Sequence, residues 1–233
     1  MQTYSMRQVN QGVLVNTFIK SVYNWMAIGL ALTGLIAYYT ASSETMLRFI
    51  FGNQLVFFGL IIAELGLVFT LSGRISKMSA GTATLLFVLY AAINGLTLSA
   101  IFLAYAASTI ASTFFICSAT FAAASVYGWL TKKDLTSFGQ FLFMGLIGII
   151  IASVVNMFVR SSGMELIISY IGVIIFVGLT AFDTQKLRHM ALTQPADVSG
   201  EIVHKGAILG ALSLYLDFIN LFLMLLRIMG NRR

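Results

Sequence analysis

Charge, cysteine and proline are nearly missing from this chain. Charged residues fill 9% of its 233 positions, where a soluble domain carries about 25%. That scarcity excludes an ordinary water-soluble fold. The net charge of +6 is therefore read as an orientation signal, and no nucleic-acid partner is expected. The single cysteine, Cys117, excludes an internal disulfide. It lies in an apolar run and is read as a small buried hydrophobe, not a redox centre. The single proline, Pro195, falls outside the long apolar runs, so no span is broken by proline. Broken helices of the transporter kind could still form at glycine, but nothing here signals them. No internal repeat is visible. The two histidines, His189 and His204, fall in one polar connection, without cysteine or the close spacing that zinc requires. No metal is expected there.

What fills the chain instead is apolar, at 59% of residues. A helix needs roughly 20 apolar residues to cross the hydrocarbon core. Seven segments qualify: 22–40, 54–73, 81–104, 108–130, 138–159, 166–187 and 206–228. Backbone groups in lipid must be satisfied within their own segment, so the spans are helices. The runs are unbroken, which rules out the alternation of a barrel strand. The expected fold class is all-α, a polytopic membrane protein forming one seven-helix bundle over residues 1–233. Residues 1–20 are polar and the first apolar run exceeds a signal-peptide core, so no cleavable signal is expected.

Lysine and arginine in short loops set direction. On the N-terminal side lie Arg7, Lys20, Arg74, Lys77, Lys132, Lys133, Lys186, Arg188 and Lys205. On the other side lie Arg48, Arg160, Arg232 and Arg233, with Arg227 near the membrane edge. The balance predicts a cytoplasmic N-terminus and an external C-terminus, against which the two terminal arginines argue mildly. Tyr23, Trp25, Tyr38, Tyr39, Tyr127 and Trp129 sit near span ends, as an aromatic belt does.

Three of the eight acids fall inside spans: Glu64, Asp183 and Asp217. Each costs about 2.5–3.5 kcal/mol at a helix centre, so each must face protein or water. One such acid can be simple polar glue between helices; three in one small bundle favour function. Gly206, Gly210, Ser213, Asp217 and Asn220 recur every three or four residues and share one narrow helix face. Small residues there allow a neighbouring backbone to approach, and polar ones bond across. This predicts a seventh span buried among the others. Ser169, Gly172, Phe176, Thr180 and Asp183 form a matching stripe on span six. Glu64 has only apolar residues on its own face, so its partners must come from other helices. Asn94 and Asn156 are the candidates.

Asp217 and Glu64 lie near the middle of their spans, and Asp183 lies roughly 9 Å toward the cytoplasm from the midplane. Arg74 is on that side and can snorkel inward. Asp183 therefore has two candidate partners, Arg74 and Asp217. Burial disfavours a charged carboxylate and a nearby arginine favours it. Two carboxylates in contact share a proton and titrate as a unit. Such a pair is also the beginning of a Ca²⁺ site, because Ca²⁺ takes several hard oxygens in irregular geometry.

The segments "AFDTQKL" in span six, "YLDFINLF" in span seven and "AELGLVF" in span two resemble the transmembrane Bax inhibitor motif family, bacterial members included. The seven-span layout extends the resemblance over nearly the whole chain. It implies a pH-sensitive Ca²⁺ leak channel with span seven at its centre. Carried over by position, Asp183 and Asp217 are the proton-sensing pair and candidate Ca²⁺ ligands. Arg74 is the latch on the span-six aspartate, and Glu64 is the span-two acid near the pore. Asn220 and Ser213 are further pore-lining candidates. The resemblance implies Ca²⁺ and protons as ligands, no other cofactor and a bacterial inner-membrane location.

The alternative is a regulatory protein that binds other membrane proteins, a membrane protease or a cell-death factor, and conducts nothing itself. A proton-coupled transporter would use the same acids. An intramembrane aspartyl protease also places acids in spans six and seven. It needs a G-x-G-D, a Y-D pair and a downstream P-A-L, whereas here the contexts are Phe182-Asp183 and Leu216-Asp217, with no proline after Pro195. A rhomboid-type protease needs an intramembrane Ser–His pair, and a retinal protein needs a span-seven lysine. None is present in the spans as read, and no catalytic residue is assigned.

Overall fold

The computed structural model describes residues 2–230 apart from 194, 196 and 197, with side chains described from residue 15 onward. Asp197, Arg232 and Arg233 lie outside the described residues, as does the side chain of Arg7. Among the described residues every regular element is helical: α1 (Gln2–Ala41), α2 (Glu44–Phe51), α3 (Gln54–Arg74), α4 (Ala80–Leu98), α5 (Ile101–Ala104), α6 (Ala107–Leu130), α7 (Thr136–Val159), α8 (Ser162–Thr193) and α9 (Gly200–Met229), with a 3₁₀ turn at Ile75–Lys77. Seven stretches are long and apolar enough to cross a membrane: Val15–Ala41, Gln54–Lys77, Ala80–Ala104, Ala107–Leu130, Thr136–Val159, Ser162–Thr193 and Gly200–Met229. The chain is an all-helical integral membrane protein with seven spans.

Side-chain caps start several of these helices, α8 at Ser161 and α9 at Ser199 among them. Ser43 accepts from the Met46 amide to open α2, Asn53 from Leu55 to open α3, and Ser79 from Thr82 to open α4. Each satisfies a backbone donor that has no partner within its helix. The short α2 was not foreseen. Its signal is the Ser43 cap followed by Glu44 and Arg48, which pair at 2.7 Å one turn apart.

Several boundaries differ from the sequence reading. α1 begins far before residue 22, α8 runs from Ser162 on to Thr193, α9 begins at Gly200, and the span read at 81–104 is divided between α4 and α5. The connection expected at 188–205 is correspondingly short, and His189 and His204 are helical, in α8 and α9. Hydropathy reports where the hydrocarbon ends, whereas a helix continues until a residue stops it. Between Lys186 and Thr193 there is neither glycine nor proline. Asp183 thus stands ten residues before the end of its helix.

The chain forms two compact units. One holds the residues up to Ala104 together with Met190–Tyr215; the other holds Tyr105–His189 and Leu216–Arg233. In the first, α1 and α3 both pack on α4. Gly95 of α4 lies against Ile36 and the Thr33 carbonyl, with no room for a Cβ. In the second, α6, α7 and α8 meet with the later half of α9. Phe218 takes the rings of Phe114 and Phe121 edge-on at 5.5 and 5.4 Å. Cys117 is buried and donates to the Phe218 carbonyl at 3.6 Å, in keeping with its reading as a core residue. α9 is the most enclosed span, with 67% of its apolar window buried against 6% for Gln54–Lys77, as its small-residue stripe predicts.

Candidate functional site

Asp183 and Asp217 belong to the same unit. Asp217 is 5% exposed, and its Oδ2 has no hydrogen-bond partner among the described residues. The Asp183 carboxylate lies within electrostatic reach of it. Lys186, one turn further along α8, is the cation within such reach of Asp183. Asn220, one turn beyond Asp217, donates its Nδ2 to the Leu216 carbonyl at 2.8 Å, so its Oδ1 stays available as an acceptor. An unpartnered buried carboxylate oxygen costs free energy that a proton or a cation offsets.

Glycines set the place of Asp183. A Cβ on Gly128 of α6 would collide with the Ala181 carbonyl, and one on Gly139 of α7 with the Phe182 ring. α8 therefore presses on α6 with its backbone at Ala181 and on α7 with the Phe182 ring, just before the aspartate, which fixes its depth and rotation. Gln185 secures the next turn. Its Oε1 accepts from the Leu135 amide and its Nε2 donates to the Lys133 carbonyl, each at 2.8 Å. Arg188 donates to the Trp129 carbonyl at 2.8 Å and stands over the Trp129 ring at 5.4 Å. In the same α6–α7 connection, Asp134 accepts from the Thr136 hydroxyl and amide at 2.6 and 2.9 Å, which hold its carboxyl below the usual range. The roles of Gln185 and Arg188 were not read from sequence. The signal was present: an amide with both donor and acceptor groups, and a guanidinium with donors alone, in the polar tail of an apolar run.

The first unit holds a second polar cluster. Thr97 donates to Glu64 Oε1 at 2.7 Å, and Asn94 Nδ2 lies 3.5 Å from Glu64 Oε2. Tyr215 donates to Asn94 Oδ1 at 3.0 Å, and its hydroxyl lies 2.7 Å from that of Thr33. Of the two asparagines expected near Glu64, Asn94 is there. Asn156 instead accepts from the Ser161 amide at 3.0 Å in the other unit. Thr97 and Tyr215 were missed, because which hydroxyl faces which acid depends on the rotation of each helix. Ser213 is half-buried in this unit, and Arg74 is exposed at the C-terminal end of α3, where a cation complements the helix dipole. His204 is held by Thr84 at 2.9 Å and by the Trp25 ring edge-on at 5.9 Å. Among the described residues no three His, Cys, Asp or Glu side chains gather as a metal cluster.

Comparison with known proteins places this architecture. A family profile described as "Inhibitor of apoptosis-promoting Bax1" matches residues 15–233. The inner membrane protein YbhL of Escherichia coli K12 is 53% identical over 220 residues, 94% of this chain and 93% of that protein. An uncharacterized protein of Borreliella burgdorferi is 48% identical over 227 residues, 97% of each chain. An uncharacterized protein of Deinococcus radiodurans is 46% identical over all of this chain. With seven apolar helices, the span-six and span-seven aspartates and a match over nearly its whole length, the chain belongs to the Bax inhibitor family of membrane proteins.

Proposed function

We propose that this protein is a pH-sensitive, Ca²⁺-permeable leak channel of the bacterial inner membrane, with its N-terminus in the cytoplasm and its C-terminus outside. The observation that carries the reading is Asp217, buried, with one carboxylate oxygen unpartnered and Asp183 in electrostatic reach. The two carboxyls share a proton, and its gain or loss biases the path. Ca²⁺ is the cargo. Asp183, Asp217 and the Asn220 carbonyl are hard oxygen donors of the kind it takes, fewer than the six to eight of a storage site. A few protein ligands with water completing the shell suit passage better than retention.

Arg74 acts as the latch, holding the span-six aspartate in one state, while span two carries both Arg74 and Glu64. Driving a gate from mostly closed to mostly open takes about 5.5 kcal/mol of differential interaction; Arg74 is exposed in this structure, and its latch contact approaches that size, about 3–5 kcal/mol, only in a state that buries it. The reading needs no cofactor and no catalytic residue. The test is Ca²⁺ entry into proteoliposomes of the purified protein between about pH 5 and pH 8. Flux above protein-free vesicles that changes with pH is expected. Absence of flux at every pH excludes conduction and leaves the regulatory reading, in which membrane proteins captured with the chain are its partners.

A further inference from the structure

A cavity of about 520 Å³, lined by both charged and apolar side chains, opens in the second unit where α7 ends and α8 begins. Arg160 lines it from the connection, Arg227 from the last turn of α9, and Glu165 from the first turn of α8. Arg227 Nε and Glu165 Oε1 are 4.0 Å apart, too long for a bidentate fork. Among the described lining residues two guanidinium groups stand against one carboxylate, one positive charge in excess. Among the described residues no ion pair engages Arg160. Ser161, whose Oγ accepts from the Met164 amide at 3.3 Å, and Ser162 add hydroxyls to the lining at the start of α8, the end of a helix that favours an anion.

Arg160 is also out of place for its backbone. It caps α7 at φ 54° and ψ 37°, and it is the one described non-glycine residue with positive φ. Glycine is the usual residue at such a helix end, so the turn does not ask for arginine; the cavity does. On its other side the cavity reaches Met157, and the adjoining Phe158 is 77% exposed. On a membrane span, that apolar surface faces lipid.

We propose that this cavity binds the phosphodiester headgroup of an anionic phospholipid, with the acyl chains lying along the exposed face of α7. The chemistry is that of a monoanionic phosphate. One excess positive charge balances one phosphodiester charge, guanidinium forks match phosphate oxygens, and the cavity stands at the end of three spans, where headgroups lie. A free phosphate ion has the same oxygens but no tail for the Met157 side.

Native mass spectrometry of the detergent-purified protein tests this, with phosphatidylglycerol and phosphatidylcholine of identical chains as probes. Phosphatidylglycerol should be retained at least about tenfold more tightly than phosphatidylcholine, and Arg160→Gly or Arg227→Gln should remove that preference. Arg160→Gly suits the backbone, so its melting temperature without lipid should equal or exceed that of the parent. Arg160→Asn, which also tolerates this conformation, repeats the test if the glycine variant is poorly behaved. Equal retention of both lipids, or a preference that survives both arginine substitutions, overturns the proposal. Sodium phosphate is the second arm. If it raises the melting temperature through Arg160 while phosphatidylglycerol gains no retention, the cavity takes a soluble anion and the lipid assignment is wrong.

Discussion

Replacing both aspartates, Asp183→Asn with Asp217→Asn, should flatten the pH profile of Ca²⁺ flux while the protein still folds. A pair that shares one proton changes flux by at most about tenfold per pH unit, and the double variant should lose that slope entirely. Asparagine keeps the volume and the hydrogen-bonding oxygen but carries no titratable group. The unpartnered Oδ2 of Asp217 means that its removal leaves no other side chain orphaned there. Stability should hold or rise, since a buried carboxylate without a full set of partners is costly. Each single variant should lose much of the slope, because the proton belongs to the pair. Melting temperature and detergent monodispersity, measured alongside flux, separate a lost sensor from a lost fold.

The second large effect should come from a residue with no functional group at all. Gly128→Ala should lower the melting temperature, by the equivalent of about 1–3 kcal/mol for a methyl forced into a filled contact. Gly128→Leu should prevent a monodisperse protein from being purified. The obstacle is the Ala181 carbonyl, which is backbone and cannot rotate away. Gly148, where a Cβ would meet nothing within 4 Å, is the control: Gly148→Ala should leave the melting temperature unchanged or raised. If the Gly128 and Gly148 alanine variants behave alike, helix packing at Ala181 does not position Asp183.

How much of this was legible in the sequence divides along a physical line. The seven spans were read from apolar runs because lipid forces each backbone to satisfy itself. α9 is enclosed as expected, but its stripe is not its most buried face: Gly210 and Asp217 are buried, whereas Gly206, Ser213 and Asn220 are half-buried and the large residues Ile208, Leu212 and Tyr215 are enclosed beside them. Helix ends beyond the hydrocarbon were misjudged at α1 and α8, since hydropathy falls there but nothing stops the helix. Polar partnerships were read only in part. Asn94 reached Glu64 as expected, whereas Asn156 turned to the Ser161 amide. Thr97, Tyr215 and Gln185 entered unforeseen, each through a contact between residues at least thirty positions apart in the chain. Periodicity says which face of a helix is polar. It does not say which neighbour that face will meet, because rotation and axial offset are set by packing at glycines such as Gly95 and Gly128.

The central claim is that Asp183 and Asp217 share a titrating proton that controls flux. Infrared difference spectroscopy of the protonated carboxyl stretch, on the same proteoliposomes used for Ca²⁺ flux, tests it most directly. The account predicts a carboxyl band that appears and disappears over the same pH interval as the change in flux, and that is absent from the Asp183→Asn, Asp217→Asn double variant. The same band surviving the double substitution, or flux that changes with pH where no carboxyl band does, would contradict it.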